Sequence, residues 1–127
     1  GEIDRRRLGE IVFADAEALD RLNGIVHSAV RHDFERWCRE HAREARLFVE
    51  TAILSESGFD RLVDDVWEVT APEHVRIERV MRRNGLTAAQ VKARIESQRC
   101  EKRAEAAEVV NDGITPLLPR IELLLGL

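Results

Sequence analysis

The stretch "DDVWEVTAPEHVRIERVMRRNG", Asp64 to Gly85, decides the fold. Its first third is short, β-branched and aromatic, with apolar residues at Val66, Trp67 and Val69, and reads as a strand. Pro72 removes a backbone donor and stops it. From Glu73 to Arg83 the spacing becomes helical through Val75 and Val80, and Asn84-Gly85 is a turn signal. Helix and strand periods that alternate within one segment argue for a parallel sheet joined by helical crossovers.

The same logic extends in both directions. Asp4 to Phe13 reads as a short helix with Asp4 as N-cap. A longer helix starts at Asp15, with Leu19, Leu22, Val26, Ala29, Val30, Phe34, Trp37 and Cys38 forming one apolar stripe that the pattern expects to be buried. "RLFVETAILSESG" (Arg46–Gly58) reads as a strand from Leu47 to about Ile53, then a tight turn into a helix near Glu56. Thr87 caps a further helix through Val91 and Ile95 to about Gln98. "AEVVNDG" (Ala107–Gly113) reads as a short strand and turn, and Pro116 opens a last helix through Leu117, Ile121 and Leu125. Leu47–Ile53, Val66–Thr70 and Val109–Val110 are therefore expected as neighbouring parallel strands.

The chain has 127 residues, enough for one domain, and an ordinary globular composition with 44% hydrophobic and 35% charged residues. No apolar run approaches the roughly 20 residues of a membrane span, and the opening residues are too polar for a signal peptide, so no membrane partner is expected. Cys38 and Cys100 make no disulfide framework and point to reduced thiols in a cytoplasmic protein. Cys38, His41 and His32 lack the second ligand pair of a zinc site.

The formal net charge is −4, yet His74 to Arg103 holds nine basic residues against three acidic ones. The rest of the chain holds eleven basic and twenty-one acidic. Such patterning reads either as a local anion site on an acidic body or as a solvated arginine-rich helix surface. The acidic total argues against a nucleic-acid partner.

Four segments in order resemble the bacterial dephospho-coenzyme A kinases, P-loop kinases related to the nucleoside monophosphate kinases. "IDRRRLGEIVF" (Ile3–Phe13), with "NGIVHSAV" (Asn23–Val30) after it, is similar to D-R-x-x-L-x-x-x-V-F and then I-x-H-P-x-V. "VETAILSESGFD" (Val49–Asp60) is similar to D-x-P-L-L-x-E. "VRIERVMRRNGLTAAQVKARIESQ" (Val75–Gln98) looks like the lid, and "VVNDGITPLLPRI" (Val109–Ile121) like the last strand and its N-(D/N)-G turn.

The resemblance implies an α/β fold: the C-terminal part of a three-layer P-loop kinase, a parallel sheet flanked by helices. It implies one kinase domain over 1–127, incomplete at its N-terminus. Acceptor-side helices would occupy 1–45, core sheet and helices 46–72 and 105–127, and the lid 73–104. It implies transfer of a phosphoryl group from ATP, with Mg²⁺, to the 3′-hydroxyl of dephospho-coenzyme A. Arg83 and Arg94 would act on the transferring phosphoryl group. Arg79 and Gln98 would bind nucleotide, and Asn111 and Gly113 would border adenine. Arg5, His27 and Glu56 would meet the acceptor. Glu50 would orient Mg²⁺ through water, with no residue ligating it directly. For each of these a plainer role is also open: surface charge, strand carboxylate or turn former.

The sequence departs from the family pattern in several places. Ser28 stands for the proline after His27, Glu50 for an aspartate, and Arg76 for a glutamine, while Arg82 has no counterpart. The segment from Gln98 to Asn111 is a few residues shorter. G-x-x-x-x-G-K-(S/T) is absent from the 127 residues, whose two lysines are Lys92 and Lys102. The resemblance places that motif and an early D-A-D segment before Gly1, and expects residues 1–127 alone to be inactive. Another P-loop small-molecule kinase and a non-catalytic helical interaction domain are the alternatives. The oligomeric state is left open.

Overall fold

In the computed structural model, residues 1–97 and 105–127 are described, and they divide into two compact units, Gly1–Val63 and Asp64–Leu127.

The first unit is helical. Helix α1 (Arg5–Val12) is capped by Asp4, whose Oδ1 accepts the Arg7 N–H at 3.0 Å. Helix α2 (Ala16–Glu40) is capped by Asp15, which accepts the N–H groups of Glu17 and Ala18 at 2.9 and 3.2 Å. Both caps satisfy donors that a first helical turn leaves open. At about 1.5 Å per residue, the 25 residues of α2 span roughly 37 Å. Val12 and Phe59 are the buried apolar residues of this unit, with the Phe59 ring 5.2 Å from Phe34 of α2.

Two expectations fail here. The apolar stripe of α2 is not buried along its length: Val26 and Val30 are 46% and 49% exposed, and no residue of the helix is fully buried. Within this unit the packing partners of α2 are α1 and the segment around Phe59, too little surface to cover seven turns. Leu47–Ile53 is not a strand either. Its backbone is irregular, and no strand among the described residues pairs with it. The Ile53 N–H is taken instead by Thr51 Oγ1 at 3.1 Å, a local bond that competes with any ladder. Glu50, expected in a buried strand, is exposed.

No helix starts at Glu56. Ile53–Phe59 forms one helical turn, closed by bonds from the N–H of Phe59 to Leu54 O and of Gly58 to Ser55 O, both 3.0 Å. Gly58 has φ +74°, the left-handed ending that glycine adopts without strain. A single 3₁₀ turn, Phe59–Arg61, follows.

The second unit is the α/β part. Strands β1 (Trp67–Thr70) and β2 (Ala107–Val110) pair in parallel, Trp67 opposite Ala107 and Thr70 opposite Val110. The ladder extends to Asn111 N–H on Thr70 O at 2.7 Å. The expected third strand is absent, so the sheet among the described residues has two strands.

The crossover between them carries α3 (Glu73–Asn84) and α4 (Ala88–Ser97). Gly85 ends α3 at φ +65°, its N–H on Met81 O at 2.9 Å. Thr87 and Gln90 open α4 with a reciprocal capping box, 2.9 and 3.3 Å. Val91, 1% exposed, is the buried residue of α4, and Val109 of β2 is 5% exposed. Helix α5 (Leu117–Leu125) packs against β2, where Arg120 Nε donates to Glu108 O at 2.9 Å. No helix among the described residues is long and apolar enough to cross a membrane.

Candidate functional site

Arg76, Arg79 and Arg83 follow one another at i, i+3 and i+7 on α3, a spacing that puts three side chains on one face. With Val80, and with Ile95 of α4, they line a groove of about 300 Å³. The groove wall contains no carboxylate. Among the described residues neither Arg76 nor Arg83 has an ion-pair partner, and Arg83 Nε donates to Asn84 Oδ1 at 3.0 Å. Planar guanidinium groups around an apolar floor suit an anion with equatorial oxygens, such as a phosphate chain.

Arg79 also borders a second groove, of about 340 Å³, with His74, Glu78, Arg82, Asp112 and Ile114. Its charge is balanced differently. Arg82 Nη2 is engaged by Glu78 Oε1 at 2.7 Å, and Asp112 adds a further carboxylate. The two neighbouring arginines, Arg82 and Arg83, therefore face different grooves, one neutralised and one positive.

The loop after β2 comes to the same arginine. Arg79 Nη1 donates to Asn111 O at 2.8 Å, across 32 residues of sequence. Gly113, at φ +83°, has no side chain, and a Cβ there would stand 3.6 Å from Arg79 Nη2. Asp112 shapes the loop. Its Oδ1 accepts the N–H groups of Thr115 at 2.7 Å and Ile114 at 2.9 Å, and its Oδ2 the Thr115 hydroxyl at 2.8 Å. The Thr115 N–H first, then the Ile114 N–H and the Thr115 hydroxyl, lower its pKa from 3.8 to about 2. Asp112 is thus ionised at neutral pH with both oxygens engaged.

Of the residues singled out from sequence, Arg79, Arg83, Asn111 and Gly113 converge on this place. Arg94 lies on α4 beside Ile95 but does not line the groove, and Gln98 falls outside the described residues. Arg5 is exposed in the first turn of α1, His27 half-exposed on α2, and Glu50 and Glu56 exposed on the segment after it, all in the first unit. Sequence reasoning left Arg76 out of the site because it stands at a glutamine position; its spacing from Arg79 and Arg83 was the available signal. Asp112 was weighed with Asn111 and Gly113 as an adenine contact or a turn former, and its Asx-type bonds make the turn.

Residues 1–116 match the family model described as dephospho-CoA kinase. A dephospho-CoA kinase of Bacteroides fragilis (strain YCH46) is 36% identical over 124 residues, 95% of this chain and 60% of that protein. A dephospho-CoA kinase of Porphyromonas gingivalis is 39% identical over 102 residues, 80% of this chain and 50% of that protein. The crystal structure of TT1252 from Thermus thermophilus matches with a TM-score of 0.70 at 32% identity, over 99% of this chain and 65% of that one. The chain thus spans 50% to 65% of the length of these relatives. With the parallel β1–β2 crossover and the arginine face of α3 alongside these matches, the chain belongs to the dephospho-CoA kinase family.

Proposed function

We propose that this chain forms the C-terminal part of a cytoplasmic kinase that transfers the γ-phosphoryl group of ATP to the 3′-hydroxyl of dephospho-coenzyme A. The observation that carries the reading is the groove of Arg76, Arg79 and Arg83, a carboxylate-free cluster of positive charge beside the Asn111–Gly113 loop. In phosphoryl transfer the acceptor oxygen forms a bond to phosphorus as the bond to the β-phosphate oxygen breaks. Negative charge accumulates on the leaving and equatorial oxygens, and catalysis is largely positioning and charge stabilisation. Guanidinium groups at that place supply the charge. Arg83 and Arg94 take the transferring group in this reading, with Arg79 and Gln98 on the nucleotide and Asn111 and Gly113 beside adenine. Arg5, His27 and Glu56 belong to the acceptor side. The division into acceptor-side helices (1–45), core (46–72 and 105–127) and lid (73–104) is part of the same proposal.

Mg²⁺ keeps most of its waters and takes one or two carboxylates together with phosphate oxygens. An exposed carboxylate such as Glu50 fits that donor set through a bound water, and no group of three metal-ligating side chains occurs among the described residues. When bound, the ion would neutralise phosphate charge, and Glu50 would hold it through one of its waters.

The test is coenzyme A formation from ATP and dephospho-coenzyme A by the complete protein. The expected result is ATP-dependent product from the complete protein and none from residues 1–127 alone, which lack G-x-x-x-x-G-K-(S/T). No product from the complete protein, or a higher kcat/KM with an unrelated acceptor, would overturn the reading in favour of another small-molecule kinase.

A further inference from the structure

Arg31 of α2 is hydrogen-bonded to the segment that follows the helix. Its Nη1 donates to Ser57 O at 2.6 Å, across 26 residues of sequence. The receiving turn is tightly made. Ser57 is 2% exposed, and its hydroxyl donates to Ile53 O at 2.7 Å and reaches Leu54 O at 3.2 Å. Gly58 beside it leaves room for the guanidinium: a Cβ there would stand 3.6 Å from Arg31 Nη1. Three residues on along α2, Phe34 packs its ring on Phe59 at 5.2 Å. The helix therefore grips the turn at two successive points, one polar and one apolar.

The Arg31–Ser57 bond is charge-assisted and stronger than a neutral donor would make. His27 lies one helical turn before Arg31 on the same face of α2, and Glu56 is the residue directly before the clamped Ser57.

We propose that Arg31 is a positioning residue for the acceptor end of the site, holding the Ile53–Phe59 turn on α2 so that Glu56 and His27 face one ligand in fixed register. The proposal rests on the function proposed above. Arg31 does not itself act on the phosphoryl group; it sets where Glu56 stands. Its loss therefore falls on acceptor binding and not on ATP.

The experiment compares Arg31→Gln and Arg31→Lys in the complete protein, by amide hydrogen exchange and by steady-state kinetics. In Arg31→Gln the amides of Ser57, Gly58 and Phe59, bonded to Ile53 O, Ser55 O and Leu54 O, exchange about tenfold faster or more, while those of residues 20–28 of α2 do not change. The KM for dephospho-coenzyme A rises about tenfold with the KM for ATP within about twofold, and Arg31→Lys, which keeps a charged donor, recovers part of both effects. Unchanged exchange in the turn would overturn the proposal, as would equal rises in both KM values, or faster exchange throughout α2. If the complete protein does not phosphorylate dephospho-coenzyme A, the function reading falls, and the exchange data still decide whether Arg31 holds the turn.

Discussion

Replacing Arg83 with alanine in the complete protein removes one of three guanidinium groups from the carboxylate-free groove. If that group meets charge that develops only during transfer, its loss lowers kcat by about 10²–10³-fold, equivalent to about 2.7–4 kcal/mol. The KM for ATP should change far less, because on the proposed reading ground-state phosphate binding would be shared with Arg76 and Arg79, which line the same groove. Arg82 is the built-in control. It adjoins Arg83 in sequence, but its guanidinium is engaged by Glu78 at 2.7 Å, with the two side chains 77% and 67% exposed. Such a surface pair is worth about 0.3–0.5 kcal/mol, so Arg82→Ala should leave kcat/KM within about twofold and stability nearly unchanged. Steady-state kinetics of both variants against ATP and dephospho-coenzyme A would measure a difference of about 100-fold between neighbouring positions. Equal losses would refute the reasoning, because the segment would then act as a diffuse positive surface. No loss in either would make it a solvated helix pair.

Val91→Ala removes two methyl groups from a side chain of α4 that is 1% exposed, and should cost about 2 kcal/mol in denaturant unfolding; a loss under about 0.5 kcal/mol would mean the site is not closely packed. Gly85→Ala forces a Cβ into the left-handed region at φ +65° and should lower stability by about 1 kcal/mol, and an unchanged midpoint would contradict that ending of α3. Asp112 has a folded pKa of about 2 against 3.8, so its contribution to stability is complete above pH 3.8 and is lost as pH falls towards 2. Asp112→Asn should therefore show a flatter decline of melting temperature over that interval, and parallel acid declines in the two proteins would remove Asp112 as the cause.

The features legible in the sequence were those written within a few residues. Asp4 and Asp15 cap their helices, Pro72 separates strand from helix, and Gly85 and Thr87 end one helix and open the next, each through contacts no more than four residues apart. The arginine face of α3 was open to the same reasoning, since helical spacing alone brings Arg76, Arg79 and Arg83 together, but Arg79 and Arg83 came from the resemblance and Arg76 was left out. Leu47–Ile53 was misread because strand formation depends on a neighbour; composition cannot supply one, and Thr51 took the amide of Ile53 first. The bonds of Arg79 to Asn111 and of Arg31 to Ser57 span 32 and 26 residues, and no periodicity announces them. The resemblance put Arg79 and Asn111 on the nucleotide together and gave Arg31 no role.

The parallel pairing of β1 and β2 has a consequence for how this segment tolerates changes in length. The crossover leaves β1 at Thr70 and re-enters at Ala107, so its outgoing end lies at the carboxyl edge of the sheet and its returning end at the amino edge. Helix α3 and the Asn111–Gly113 loop both spring from the carboxyl edge, and the Arg79–Asn111 bond joins them there. Residues added or removed just before Ala107 are taken up on the opposite edge. The Arg79–Asn111 bond is made on the carboxyl edge, so a change of length at the amino edge leaves the arginine face in place over the loop. The crossover thus keeps its departure, where Arg79 meets Asn111, on the edge opposite its re-entry at Ala107, and relatives are free to diverge at the second without disturbing the first.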